Sequence, residues 1–131
     1  MKVRRVSFAF VSAAFFAAFA TTCGTAYASS PEANTALARK AYATLRAGDA
    51  QGAVGEYSDA IESGMLEPDM LANALLNRAL AYQQLQEQKS AIADYDAAIK
   101  LNVMAPALRA TALYNRGIAL QKSGNITQAI E

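Results

Sequence analysis

The chain has 131 residues and is almost neutral, with 12 Lys and Arg against 11 Asp and Glu, no His, no Trp and a single Cys. That length holds one domain with a modest core, and the slightly acidic balance beyond the first five residues argues against a nucleic-acid footprint, which needs clustered Lys and Arg. Without His, and with Cys23 near the N-terminus, the usual zinc sites, Cys-His nucleophile pairs, Ser-His-Asp relays and internal disulfides cannot be assembled in the body, so no enzyme activity, cofactor or metal is expected.

Lys2, Arg4 and Arg5 give the chain a basic start, and no charged residue follows until Glu32. Val6 to Ala20 is an apolar run of signal-peptide length, and Ala26-Tyr27-Ala28 places small residues where a signal peptidase reads. The expectation is a signal peptide over 1–28, cleavage after Ala28, and a mature domain over 29–131 in the periplasm or outside a bacterium, with no membrane contact once the signal is gone. Uncleaved, the stretch from Val6 to Ser30 is long enough to serve as an anchor. Ala20-Thr21-Thr22 before Cys23 is a poor lipoprotein box, so Cys23 reads as a small apolar residue of the discarded peptide.

The body is predicted to be helical throughout. Ser30-Pro31-Glu32 combines an N-cap, a first-turn proline and an early acid, opening a helix that Gly48 can end. Asp49 can cap a second helix running to Gly64, and Pro68 and Pro106 open later ones. Gly124-Asn125 repeats the punctuation of Gly48-Asp49, and an N-cap role for Asn125 accounts for the sequon Asn125-Ile126-Thr127 without glycosylation.

The pattern recurs at a step of 38 residues: Ala53, Tyr57 and Ala60 return as Ala91, Tyr95 and Ala98, and Leu76-Asn77-Arg78-Ala79 as Tyr114-Asn115-Arg116-Gly117. Within a unit the apolar steps of four and three stack on one helix face. Small residues at Ala41, Ala79 and Gly117 face Ala53, Ala91 and Ala129 across a close helix pair, and Tyr57 and Tyr95 fill the space between one pair and the next.

In these positions the chain resembles the tetratricopeptide repeat family over roughly Asn34 to Glu131, best from Ala72 to Met104, where Ala79, Tyr82, Ala91, Tyr95 and Ala98 match the family's small and aromatic positions. The resemblance implies an all-α, TPR-like α-α superhelix, a solenoid of antiparallel helix pairs with about two and a half repeats. The units span roughly 34–71, 72–109 and an incomplete 110–131. The period exceeds the family's usual unit, so each linker carries about four extra residues or the following helix is longer. A third unit that stops early implies either a longer natural chain or a cover for the open end, since terminal repeats need a polar cap.

By the same resemblance, the first helix of each pair lines a concave groove that takes a protein or peptide partner. The groove residues are Ala38, Tyr42 and Arg46, then Asn73, Leu76, Asn77, Leu80 and Gln83, then Tyr114, Asn115, Ile118, Gln121 and Lys122. Asn77 and Asn115 would pair with a peptide backbone while apolar side chains rest on Leu80, Tyr114 and Ile118. The plain structural alternative is that Leu76, Leu80 and Ile118 pack helices together. Ala38 and Tyr42 stand where some relatives place the Lys and Asn of a carboxylate clamp, so no such clamp is expected. A competing reading is self-association, with the open C-terminal repeat pairing against a second copy as a homo-oligomer of the cell envelope.

Lys40 with Glu56 and Arg78 with Asp94 share a spacing that places them on facing helices, whereas the corresponding partner of Arg116 would fall one residue past the end of the chain. Asp94 and Asp96 point in different directions on a helix and do not form a catalytic pair.

Overall fold

The computed structural model describes residues 30–124. The expected export signal with its expected cleavage after Ala28, Cys23, the sequon Asn125-Ile126-Thr127 and the segment expected to open the second helix of the third unit, with Ala129, lie outside the described residues. Within them the chain is all-helical: α1 (Pro31–Arg46), α2 (Ala50–Glu62), α3 (Pro68–Gln84), α4 (Gln88–Leu101) and α5 (Pro106–Lys122).

The helix starts follow from local chemistry. Ser30 Oγ accepts the Ala33 N–H at 3.1 Å and Asp49 Oδ1 accepts the Gly52 N–H at 2.8 Å, each satisfying a donor that the helix itself leaves open. Proline sits in the first turn of α1, α3 and α5, where its missing N–H costs nothing. The two longer linkers are longer in their loops, 63–67 and 102–105 against the tight turns 47–49 and 85–87, and α3 and α5 have 17 residues each against 16 in α1.

The ends repeat as well. Gly48, Gln86 and Gly124, one period apart, all adopt positive φ (92°, 63° and 85°). After α1, Gly48 N–H donates to Leu45 and Asp49 N–H to Thr44; after α3, Gln86 N–H donates to Gln83 and Glu87 N–H to Tyr82. Each is a Schellman closure, in which a left-handed residue turns the chain back and satisfies the last carbonyls. Gln86 makes that turn with a side chain that disfavours it.

Consecutive helices pack against one another from α1 to α5, and α1 also touches α3. Contacts between residues 12 and 16 apart across the tight turns, Thr44 to Glu56, Tyr95 to Gln83 and Arg78 to Asp94, set α1 against α2 and α3 against α4 as hairpins. The core is built from alanine: Ala41, Ala53, Ala60, Ala79, Ala91 and Ala98 are completely buried. Their short side chains allow the backbones to approach, and Tyr57 and Tyr95, 1% and 0% exposed, fill what remains. Two clusters result, one around Tyr57 and one around Tyr95, with Leu80 and Ile61 packed against both.

Ion pairs tie the hairpins. Lys40 Nζ lies 2.7 Å from Glu56 Oε1, and Thr44 Oγ1 donates to Oε2 of the same carboxylate at 2.8 Å. The hydrogen bond from Lys40, then that from Thr44, holds the Glu56 pKa below the usual carboxylate range. Arg78 is more deeply set: Nε and Nη2 donate to the two oxygens of Asp94 at 2.7 and 2.8 Å, and Nη1 donates to Ser58 Oγ on α2 at 3.0 Å. Its guanidinium also lies over the Tyr82 ring, 5.9 Å from the centroid.

Arg116 has an ion-pair partner among the described residues as well, a contact the spacing of 16 did not anticipate. Its Nε is 2.6 Å from Asp96 Oδ1 on α4, an ion pair by distance in which the N–H direction misses the oxygen. Asp96 is the counterpart of Ser58, so Arg78 and Arg116 both reach back to the second helix of the preceding hairpin.

Candidate functional site

A cleft of about 260 Å³ opens between α1 and α3. Ala38, Arg39 and Tyr42 line it from α1, Met70, Asn73, Ala74 and Asn77 from α3, and Tyr57 of α2 completes the wall. Four and three residue steps along each helix put these side chains on one face.

The cleft exists at this place because of side-chain size. One period on, Leu76 stands for Ala38, and Leu76 is buried in the core cluster around Tyr95. Where α3 sends a leucine into the core, α1 sends a methyl group, and the difference is left as open volume.

The polar groups are fixed by the helices that carry them. Asn73 Nδ2 donates to the Asp69 carbonyl at 2.9 Å and Asn77 Nδ2 to the Asn73 carbonyl at 3.0 Å. A carbonyl partner fixes the NH₂ end of each amide toward its own helix, which leaves Oδ1 and the second N–H of each Nδ2 for a ligand. Arg39 is the one charged residue of the lining, and Tyr42 stands 49% exposed at the edge. Tyr57 is buried, and its hydroxyl has no hydrogen-bond partner among the described residues. Desolvation, then the neighbouring Tyr42 and Glu56, pushes its pKa well above the usual phenol range, so it presents a proton at any ordinary pH.

Of the groove residues expected from sequence, the cleft brings together Ala38, Tyr42, Asn73 and Asn77. The others lie elsewhere. Leu76 is core, Leu80 packs against both clusters, and Gln83 is engaged with Tyr95 and the Asn115 backbone. On α5, Asn115 and Ile118 are half-buried, Gln121 and Lys122 are exposed, and Tyr114 is 70% exposed. Arg46 is exposed at the end of α1.

The chain matches no family model and no curated protein. Its site therefore rests on its own geometry.

Arg39, Met70, Ala74 and Tyr57 were not among the expected groove residues. Arg39 had a signal, since it is the counterpart of Asn77 and Asn115, and Met70 and Ala74 flank Asn73 on α3 at steps of three and one. Among the described residues, no helix is long and apolar enough to cross a membrane.

Proposed function

We propose that this chain is an exported, non-catalytic interaction module of tetratricopeptide-repeat type, a solenoid of helix pairs that receives a segment of a partner protein in the groove lined by its first helices. The observation that carries the reading is the cleft between α1 and α3, where Tyr42, Asn73 and Asn77 converge on an apolar wall. A concave site with a few fixed polar groups on an otherwise apolar lining is what peptide and small-ligand sites share. The recurrence of left-handed turns and buried tyrosines at one period supports the repeat assignment. Export rests on the basic start, the apolar run and Ala26-Tyr27-Ala28.

The test is selection of displayed random peptides on the full chain, followed by a counter-screen on Ala38→Leu. That substitution fills the cleft with the residue that the second unit already uses. Selected peptides should bind the parent and lose most of their affinity for Ala38→Leu. Peptides indifferent to Ala38→Leu would move the site to another face.

A second reading, self-association, draws on α5, where Leu113 and Tyr114 are 45% and 70% exposed side by side. It requires sedimentation to show a concentration-dependent dimer that Tyr114→Ser dissociates.

A further inference from the structure

The wall of the cleft has a counterpart one period on, and there the structure shows what fills it. Tyr57, Met70 and Ala74 correspond to Tyr95, Leu108 and Ala112, and Ala38 corresponds to Leu76. Leu76 is buried in the cluster that holds Tyr95 and Ala112, with Leu108 packed against it. Between α1 and α3 the same kinds of side chain surround a methyl group instead, Met70 is half-buried, Tyr42 is exposed at the edge, and about 260 Å³ stands open.

The polar groups of the lining do not select a ligand. Asn73 and Asn77 each keep an acceptor and an N–H, so they serve an amide, a carboxylate or a peptide backbone alike. Discrimination falls to the apolar volume and to charge. Arg39, the one charged residue of the lining, is exposed and takes part in none of the ion pairs among the described residues. Its helices share its sign: α1, α3 and α5 carry seven basic residues and two acidic ones, whereas α2 and α4 carry two basic and five acidic. Three of the seven pair with acids of α2 and α4, and Arg39, Arg46 and Lys122 remain exposed outside those pairs. The two acids, Glu32 and Asp69, sit in the first turns of α1 and α3, about two turns of helix from the level of Arg39 and its counterpart Asn77.

Resting on the reading of the cleft as a peptide site, we infer that it receives a leucine-type aliphatic side chain with an acidic residue beside it in the partner's sequence. The aliphatic group takes the place that Leu76 fills one unit on, and the carboxylate faces Arg39. Arg39 follows Ala38 directly in α1, and an extended segment advances about 3.3 Å per residue, so the acid stands within about two positions of the anchor.

Random displayed peptides are selected on the full chain and, in parallel, on Arg39→Glu, a change at an exposed position. Peptides from the parent should share an aliphatic residue with an acid within about two positions; those from Arg39→Glu should keep the aliphatic residue and carry Lys or Arg in place of the acid. One parent-selected peptide is then synthesised with a fluorophore and its affinity read by anisotropy. Changing its aliphatic anchor to alanine should weaken binding to the parent about tenfold or more, and binding to Ala38→Leu, where the place is already filled, by less than about twofold. Should Ala38→Leu fail to fold, Tyr42→Ala at the exposed edge takes its place in the cycle, with a smaller loss than on the parent expected again. Selected peptides without a shared aliphatic residue, an acid preference that Arg39→Glu leaves unchanged, or an anchor loss equal on parent and variant each overturns the inference. If peptides are selected and depend on Ala38 while the aliphatic and acidic pattern is missing, the groove reading stands and only this inference falls; if no peptide is selected, both fall.

Discussion

Replacing Tyr95 by Phe and, separately, Tyr57 by Phe removes the same oxygen atom from two equivalent buried rings, and the structure assigns the two changes opposite signs. Tyr95 Oη donates to Gln83 Oε1 at 2.9 Å, a bond that contributes about 1 kcal/mol net and whose loss strands Oε1 in a half-buried position. Tyr57 Oη has no partner among the described residues, so its desolvation is an uncompensated cost of folding there; deleting it should be neutral or stabilising by up to about 1 kcal/mol. In a domain of this size each kcal/mol moves the melting temperature by about 4–8 °C. Thermal unfolding followed by circular dichroism should therefore show Tyr95→Phe melting several degrees below the parent and Tyr57→Phe at or above it. The pH dependence adds a second reading of the same groups. Burial first, then neighbouring charges, raises both phenol pKa values in the folded state. Their contribution is thus complete below the unfolded phenol value near about 10 and is lost as pH rises beyond it, at about 1.4 kcal/mol per pH unit for each phenol. Either Phe variant should halve the alkaline slope contributed by this pair. A Tyr57→Phe protein that melts as far below the parent as Tyr95→Phe would refute the reasoning, since it would mean the Tyr57 hydroxyl already has a partner.

The other predictions use the same assay unless stated. Asp94→Ala leaves the Arg78 guanidinium buried without its carboxylate and should cost about 3–5 kcal/mol, whereas Lys40→Ala, at an exposed pair, should change the melting temperature little. Gln86→Gly gives the α3–α4 turn the residue that Gly48 and Gly124 already supply and should stabilise by about 1 kcal/mol; a loss of stability would show that the Gln86 side chain contributes more than its backbone strain costs. Gln88→Ala gives the position the residue found at Ala50 and removes a buried amide whose polar atoms are both unpaired among the described residues, for an expected gain of about 1–2 kcal/mol. For export, the intact mass of the protein from its native cells should begin at Ser29, and a mass retaining residues 1–28 would contradict cleavage after Ala28.

Much of this architecture could be read from residue order because the decisive interactions are local or repeated. Ser30, Asp49, Pro68 and Pro106 mark helix starts by their own hydrogen-bonding and ring geometry, and each sits where those rules place it. The bridges Lys40–Glu56 and Arg78–Asp94 were legible because a tight turn between two helices makes a spacing of 16 residues a facing pair. Contacts between hairpins were not. Arg116 finds Asp96 because α5 packs on α4, a relation that no rule of spacing within one pair contains. The cleft was half legible: Asn73 and Asn77 follow from the groove-facing positions, but the open volume comes from the contrast of Ala38 with Leu76, which shows only when the period is applied to lining residues as well as to core ones. Gln83 was expected in the groove, and its role as a bridge between Tyr95 and the Asn115 backbone was not legible because Leu45 breaks the repeat at that position.

The central claim is that a partner enters between α1 and α3, and site-specific photocrosslinking tests it most directly. A benzoylphenylalanine introduced at Tyr42, on the edge of the cleft, and another at the exposed Asp59 of α2 would be irradiated in the native cells, and the adducts mapped by mass spectrometry. The account predicts an adduct with a different protein from position 42, lost when Ala38→Leu is also present, and none from position 59. An adduct at 42 that survives Ala38→Leu, or one that forms equally from position 59, would contradict it.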